Sequence, residues 1–186
     1  SVHRRPRVGV LATGDELRLA GSDLGPGQVV NSIAPALLAL VEAWGAEAVD
    51  LGIAADTEDD VRRRIESGLD LVVSIGGASV GVYGVVRSAF AAAGFEPRLE
   101  KVAVKPGKPT WFSTSPSTLA LGLPGNPAAA MVTARLFLQP LLAAMTGAAP
   151  ELKQDAAFAA APLAATGGRE EFLRAVLTLG ADGRAS

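Results

Sequence analysis

The sequence predicts an α/β fold, in which a mostly parallel, doubly wound sheet carries helices on both faces. Short apolar runs alternate with segments whose apolar residues recur every three to four positions, as strands and amphipathic helices do. The run at residues 71–75 is apolar apart from one serine, which is typical of a strand buried on both faces. Strand, polar loop and helix follow one another repeatedly, and this order predicts parallel strands joined by helical crossovers.

Three strands and two helices are predicted in the first half of the chain. The apolar runs that predict the strands are residues 8–12, 49–53 and 71–75. The first helix has Ser32 as its predicted N-cap and ends at Gly45, because glycine accepts the left-handed conformation that closes many helices. Thr57 is the predicted cap of the second helix, and the acids behind it suit the positive end of a helix dipole. The core face of this second helix is predicted to be Val61, Ile65 and Leu69.

The second half is predicted to continue the alternation, with a third helix that ends near Gly94. Strands are predicted for residues 98–104, 110–112 and 119–123. Asn126 is the predicted N-cap of the last helix, because Pro127 suits a first helical position. This helix is predicted to extend past Pro140, where the missing N–H should produce a kink.

A change in composition after Gly147 divides the chain. We expect residues 1–147 to form the α/β domain, since 49% hydrophobic side chains among 186 residues supply one good core. The alanine-rich remainder, residues 148–186, has weakly alternating segments around Phe158 and Phe172 that could form a hairpin. It is too short for a core of its own, so we expect a partial C-terminal β segment.

Charge and residue types exclude several classes of function. A net charge of -2 gives no general attraction to nucleic acid or to an anionic membrane, so neither is an expected partner. The sequence contains no cysteine, which excludes disulfides and thiolate metal ligands, and its single histidine, His3, excludes histidine triads. Apolar stretches stay shorter than the roughly 18 residues of a membrane span, and the basic N-terminus has no apolar signal region after it. We therefore expect a cytoplasmic protein with a solvated arginine tail at Arg4, Arg5 and Arg7.

Polar loops follow several of the predicted strands, at the edge where α/β sheets bind their ligands. Residues 76–81 bring glycine N–H groups and a hydroxyl to a helix start, which suits a phosphate, although glycines also serve tight turns. Lys105 and Lys108 flank a Pro-Gly pair, so a rigid loop either presents both amines to an anion or carries two ordinary surface lysines.

Three acids are candidate ligands for Mg²⁺. Asp15 and Glu16 follow the first strand, and Asp56 precedes the cap of the second helix. Magnesium is usually held by one or two carboxylates while several of its waters stay bound. The alternative for each of these side chains is that it only stabilises a turn.

Five motifs occur in a fixed order along the chain. They are Thr-Gly-Asp-Glu-Leu at residues 13–17, Gly-Ile-Ala-Ala-Asp at 52–56, Gly-Gly-Ala-Ser-Val-Gly at 76–81, Lys-Pro-Gly-Lys-Pro at 105–109 and Leu-Pro-Gly-Asn-Pro at 123–127. In order and approximate spacing they resemble the molybdopterin molybdenumtransferases, including the gephyrin E-domain, over roughly residues 5–147. The last two motifs separate this family from the related molybdopterin adenylyltransferases.

The resemblance implies a molybdopterin-binding domain that works as a homodimer. Its substrates would be small molecules, adenylylated molybdopterin and molybdate, and AMP would be released with Mg²⁺ as the cofactor. The implied catalytic and metal-binding residues are Asp15, Glu16 and Asp56. The implied pterin and phosphate contacts are Thr13, Gly14, Ser32, Gly76, Gly77, Ser79, Gly81, Lys105, Gly107, Lys108, Pro124, Gly125 and Asn126.

The tail also resembles part of this family. Gly168, Arg169, Phe172 and Arg174 are similar to the opening of the family's C-terminal β-domain, but the tail stops short of that domain's usual length. The family's N-terminal domains have no counterpart in the sequence. We therefore expect the chain to be a segment of a longer protein.

Four positions depart from the family's pattern. Val82 and Gly84 stand where the family usually has acids, and the later acid belongs to its catalytic centre; Ile33 and Ile75 stand where it usually has asparagine and serine. Apolar side chains cannot accept a proton from a metal-bound water, whereas loop amides still bind phosphate. Three interpretations stay open. The chain is an active molybdenumtransferase with rearranged metal handling, or a catalytically impaired molybdopterin-binding or dimeric scaffold. The third is an adenylyltransferase-like nucleotidyltransferase, and the motif at residues 105–109 argues against it.

Overall fold

The computed structural model describes residues 3–65, 68–76, 82–150, 152, 156–163 and 167–178. Helices and strands alternate along most of this length. In chain order the elements are β1 (Arg7–Thr13), β2 (Leu17–Arg18), β3 (Val29–Val30), α1 (Ile33–Ala43), β4 (Glu47–Ala54), α2 (Glu58–Arg64), β5 (Leu71–Ile75), α3 (Val82–Ala92), β6 (Glu96–Leu99), β7 (Val104–Lys105), β8 (Trp111–Thr114), β9 (Leu119–Leu123), α4 (Pro127–Thr133), a π-helical segment (Ala134–Leu138), α5 (Gln139–Met145) and β10 (Glu170–Glu171).

A six-stranded sheet in the order β4-β1-β5-β9-β8-β6 forms the centre of the fold. The four strands β4, β1, β5 and β9 are parallel. At one side β8 pairs antiparallel with β9, and β6 pairs antiparallel with β8. Because the four parallel strands end at one edge, the loops that follow them meet there. The predicted mostly parallel α/β fold is confirmed.

The sheet separates two apolar cores, because its side chains alternate between the faces. Val8 and Val10 of β1 and Val73 of β5 pack with α1 and with the helix that begins at Pro127. Leu11 and Val72, which point the other way, pack with α2 and α3 around Phe90. Helices therefore cover both faces, as the sequence predicts.

Helix α2 is shorter than predicted, and its core face is reduced accordingly. Thr57 does cap it, since its hydroxyl accepts the N–H of Asp60 at 3.3 Å. The helix stops at Arg64 because Ile65 adopts an extended backbone, with φ -77° and ψ 92°. Leu69 is buried beyond the helix, just ahead of β5, so its predicted place on the helix is wrong.

The long strand predicted at residues 98–104 is also wrong. β6 pairs with β8 only as far as Leu99, and the chain then leaves the sheet. Beyond it, Val102 donates to the carbonyl of Lys108 across a loop that contains a cis Lys105–Pro106 bond. Val104 and Lys105 form the separate strand β7, which pairs in parallel with β10, the strand found in the described part of the tail.

The last helix continues through Pro140, and a wider π-helical turn precedes the proline. The backbone N–H of Gln139 donates to the carbonyl of Ala134, five residues earlier, and this marks the π-helical segment. Pro140 has no N–H for the carbonyl four residues before it, so a regular α-helix would leave that carbonyl unpaired. By length and composition alone Pro127–Met145 could span a membrane, yet Ala130, Leu138 and other side chains of this helix belong to the core.

The N-terminal arginines are not a free tail, contrary to prediction. Arg4 pairs with Asp70 at 2.5 Å, Arg5 pairs with Glu42 at 2.6 Å, and Arg7 is the first residue of β1. The Arg4 guanidinium, by hydrogen bonding to Asp70, holds the pKa of that carboxyl below its ordinary value. The segment before β1 is thereby fastened to the start of β5.

Trp111 packs so closely on Gly122 that no side chain fits there. A Cβ atom at Gly122 would lie 1.8 Å from the Trp111 indole nitrogen, and the indole stacks edge-on against Phe90 at a centroid distance of 5.1 Å. A Gly122→Ala substitution must displace the indole or the strand. We expect it to lower the free energy of unfolding by about 2–3 kcal/mol.

Gly84→Ala provides the matched control for that substitution. Gly84 is exposed on α3 with nothing within 4 Å of its Cβ position, so alanine should raise stability by about 0.5–1 kcal/mol. Urea unfolding of both variants measures the difference. Equal midpoints for Gly122→Ala and the unsubstituted chain would contradict the close packing at Trp111.

Candidate functional site

A cavity of about 700 Å³ opens where β1, β4, β5 and β9 end. Several of the predicted site residues line it, from five separate segments; they are Thr13, Gly14, Glu16, Ser32, Asp56, Gly76, Gly125 and Asn126. The rest of the described wall is formed by Asn31 and by the apolar residues Leu17, Val29, Val30, Ile33, Ile75 and Pro127. A parallel sheet thus brings together loops that are far apart in sequence, as expected for this edge.

Three strand ends touch directly at the base of this cavity. The Thr13 hydroxyl donates to the carbonyl of Ile75 at 3.2 Å, and the N–H of Gly76 donates to the carbonyl of Leu123 at 3.2 Å. Gly76 has φ +100°, and a Cβ there would lie 2.6 Å from the Thr13 carbonyl oxygen. Only glycine fits at position 76, because any larger residue would collide with backbone.

Asparagine side chains cap the two helices that begin beside the cavity. Asn126 accepts the N–H of Ala129 at 3.1 Å, as its predicted capping role requires. For α1, Asn31 accepts the N–H of Ala34 at 3.2 Å, whereas Ser32, which holds the N-cap position, makes no capping hydrogen bond through its side chain. The predicted N-cap position of Ser32 is therefore confirmed, but the side-chain hydrogen bond to the first turn comes from Asn31, which is also a good capping residue.

Asp15 and Asp56 form a reciprocal pair between the loops after β1 and β4. The N–H of Asp15 donates to Oδ2 of Asp56 at 3.3 Å, and the N–H of Asp56 donates to Oδ1 of Asp15 at 3.1 Å. The other oxygen of Asp56, Oδ1, is buried and has no hydrogen-bond partner among the described residues. Burial raises the pKa of the Asp56 carboxyl, as do the charges of Asp15 and Glu16, against the lowering effect of the Asp15 N–H.

The charge of the cavity wall is negative. Glu16 and Asp56 are acidic, and no lysine or arginine belongs to the wall in the part of the chain that the structure describes. Asp15 is exposed and lies outside the wall. A phosphate placed in this cavity therefore needs a cation that these residues do not supply.

The two predicted lysines lie elsewhere. Lys105 pairs with Glu171 at 2.8 Å, and Lys108 is exposed away from the cavity wall. Their loop packs on α4, since a Cβ at Gly107 would lie 2.3 Å from the Thr133 methyl group. Thr133 is seven residues from Asn126, about 10 Å further along the helix. Pro124 is buried just before Gly125 and is likewise not on the wall.

Three of the predicted contacts lie outside the described residues, and Gly84 lies on another surface. Gly77, Ser79 and Gly81 are outside the described residues. Gly84, where the family resemblance expects an acid, lines a separate groove of about 400 Å³ that includes Arg87.

Two carboxylates are the candidate metal ligands at this cavity. The described residues contain no cluster of three or more histidine, cysteine, aspartate or glutamate side chains able to hold a metal ion. Of the three predicted ligands, Glu16 and Asp56 line the cavity, whereas Asp15 is exposed outside its wall. Two carboxylates match what Mg²⁺ uses when phosphates and waters complete its shell.

Comparisons with known proteins agree on one family. The family described as "Probable molybdopterin binding domain" matches residues 9–144. A molybdopterin molybdenumtransferase of Nostoc sp. is 42% identical over 154 residues, which are 80% of this chain and 35% of that protein. Molybdopterin molybdenumtransferase 2 of Mycobacterium tuberculosis is 34% identical over 182 residues, which are 93% of this chain and 45% of that protein.

A solved structure supports the same relationship. The molybdopterin biosynthesis MoeA protein from Pyrococcus horikosii superposes with a TM-score of 0.70 at 31% sequence identity, covering 77% of this chain and 36% of that one. The resemblance seen in the five sequence motifs is thereby confirmed. This chain spans less than half the length of each of these three proteins.

Proposed function

This chain belongs to the family of probable molybdopterin binding domains, and we propose that its cavity binds adenylylated molybdopterin for the insertion of molybdate. The observation that carries the proposal is the convergence of four strand-end loops on one cavity of about 700 Å³. A volume of this size suits a cofactor-sized ligand. We further propose that the domain acts in the cytoplasm, within a homodimer of a longer protein.

The two sides of the cavity suit the two parts of such a ligand. The apolar wall, with Ile33, Ile75 and Leu17, offers flat contact to the faces of a pterin ring. Gly76 and Gly125 both line the cavity, so their backbone is within reach of a phosphate group bound there. The apolar replacements at Ile33 and Ile75 are therefore compatible with binding.

Magnesium is the ion that we propose for the acids at this cavity. Glu16 and Asp56 would hold it, and the bound ion would neutralise the phosphoanhydride in a cavity whose described wall carries no positive side chain. The protein's own contribution is to keep these carboxylates in place and to exclude bulk water from the apolar side.

The proposed reaction balances without any change of oxidation state. The two dithiolene thiols displace one oxygen of molybdate as water, and two molybdenum–sulfur bonds form. One water cleaves the phosphoanhydride bond, which leaves AMP and the phosphate of the metallated pterin. Molybdenum stays fully oxidised, so no electron donor is needed.

The boundaries of the domain are proposed from the same comparison. We assign residues 1–147 to the molybdopterin-binding domain and residues 148–186 to the beginning of a C-terminal β-domain. Pairing of Glu170–Glu171 with β7 supports a tail that starts on this domain's surface.

The experiment that tests the proposed function is Mg²⁺-dependent release of AMP from adenylylated molybdopterin by the full-length protein. We expect AMP to appear in proportion to added molybdate, and chelation of Mg²⁺ to abolish it. Turnover at background while the pterin binds normally would overturn the proposal.

Background turnover with normal pterin binding would favour a different candidate, a catalytically impaired molybdopterin-binding scaffold. The observation in its favour is Gly84, which has no carboxylate and lies on a groove separate from the cavity. A variant with Val82→Asp and Gly84→Asp tests whether the protein has lost an ancestral activity or uses another group in place of the missing acid. Large gain of turnover indicates loss of the ancestral acid, and no gain in an already active protein indicates that another group has taken its role.

A further inference from the structure

We propose that Asp15 is a positioning residue, whose carboxylate fixes Asp56 at the cavity and does not itself bind the metal ion. The inference rests on the proposed function and assigns different tasks to two acids that sequence motifs place together. It follows from the different surroundings of the two carboxylates, one at the cavity wall and one exposed outside it.

Each aspartate accepts the backbone N–H of the other. Oδ1 of Asp15 takes the N–H of Asp56 at 3.1 Å, while Oδ2 of Asp56 takes the N–H of Asp15 at 3.3 Å. The two hydrogen bonds close a ring between the loop after β1 and the loop after β4. We call this ring the aspartate clasp.

The clasp leaves the two carboxylates in different surroundings. Asp56 lines the cavity, and its Oδ1 is buried without a partner, so one oxygen is available to a ligand. Asp15 is exposed, lies off the cavity wall, and directs Oδ1 to backbone. A buried carboxylate oxygen with no partner is costly unless a cation or donor completes it.

The backbone around Asp56 is held on its other side as well. The N–H of Gly14 donates to the carbonyl of Ala54 at 3.3 Å, which prolongs the pairing of β1 with β4 up to the clasp. Oδ2 of Asp60 accepts the N–H of Ala55 at 2.8 Å, so the first turn of α2 anchors the residue before Asp56. Asp15 supplies the remaining restraint, on the N–H of Asp56 itself.

Comparison of Asp15→Asn with Asp15→Ala separates positioning from metal binding. Asparagine keeps an oxygen that accepts the N–H of Asp56 but loses the charge a Mg²⁺ ligand needs, whereas alanine loses both. For AMP release by the full-length protein we expect Asp15→Asn to keep kcat within about threefold and Asp15→Ala to lower it about tenfold, because one charge-assisted hydrogen bond is lost. KM for the pterin should stay unchanged in both.

Binding of Mn²⁺ as a probe gives a readout that needs no turnover. We expect both Asp15 variants to bind Mn²⁺ like the unsubstituted protein, and Asp56→Asn to bind it much more weakly. The NMR shift of the Asp56 amide should move in Asp15→Ala and stay in place in Asp15→Asn. Asp23→Ala, an exposed acid outside the cavity wall, is the control and should change none of these quantities.

Each of these measurements either supports or overturns the proposed role of Asp15. Equal impairment of both Asp15 variants, in kcat or in Mn²⁺ affinity, would make Asp15 a ligand and overturn it. An Asp56 amide that does not move in Asp15→Ala would overturn the clasp. If the unsubstituted protein releases no AMP, the proposed function fails, and the Mn²⁺ and amide measurements still decide the role of Asp15.

Discussion

Asp56→Asn is expected to lower kcat for AMP release by about 100-fold while leaving the fold intact. The amide keeps the shape of the carboxyl and an oxygen for the N–H of Asp15. What it loses is the negative charge at the cavity wall, where the unpartnered Oδ1 is the atom best placed to support a cation. A factor of 100 corresponds to about 2.7 kcal/mol of transition-state stabilisation.

The same substitution should not lower the stability of the folded protein. Loss of turnover without loss of stability would therefore identify a role of Asp56 in the reaction. Burial raises the pKa of Asp56, so its ionised form costs folding free energy at neutral pH. Because the folded pKa lies above the unfolded one, the unsubstituted protein gains stability from this group as pH falls through the folded pKa. Asp56→Asn should lack that gain and be at least as stable at pH 7 by urea unfolding.

A neighbouring acid serves as the control for Asp56. Asp59 is exposed on α2 and pairs with the exposed Arg62 at 3.5 Å, so Asp59→Asn should leave both turnover and stability near their original values. Retention of more than half the activity by Asp56→Asn would remove Asp56 from the proposed mechanism.

Gly76→Ala is expected to lower the free energy of unfolding by about 3 kcal/mol and to weaken pterin binding more than tenfold. Two separate costs add. The backbone at φ +100° disfavours any L side chain, and the new Cβ would lie 2.6 Å from the Thr13 carbonyl oxygen. That oxygen belongs to β1, so relief of the collision requires the strand ends at the cavity base to separate.

Gly45→Ala isolates the first of these costs. Gly45 has φ +87° but nothing within 4 Å of its Cβ position, so it should lose only about 1 kcal/mol and leave pterin binding unchanged. Urea unfolding and calorimetric titration with the pterin compare the two variants. Equal losses in both would mean that the strand ends at Gly76 are not in close contact.

The position of the cavity could be predicted from the sequence, because local residue patterns show where each strand ends. The apolar runs that predict β1, β5 and β9 also locate Thr13, Gly76 and Gly125, and the parallel order then brings them together. Alternation of strands and helices was enough for this step. No distance across the molecule had to be known.

The roles of the charged side chains could not be foreseen, because they depend on partners distant in sequence. Lys105, a predicted anion contact, pairs with Glu171, 66 positions later, and Arg4, a predicted solvated residue, pairs with Asp70. Which of Asp15 and Asp56 lines the cavity depends on contact between two loops that are 41 positions apart in sequence. Nothing in the spacing of single motifs predicts which carboxylate faces the cavity.

The most direct test of this account is a crystal structure of the full-length protein with adenylylated molybdopterin bound. We predict electron density for the pterin against the apolar wall at Ile33, with the phosphates on the side of Gly76 and Asp56. Ligand density in the groove beside Gly84 and Arg87, with the cavity at the strand ends empty, would contradict the assignment.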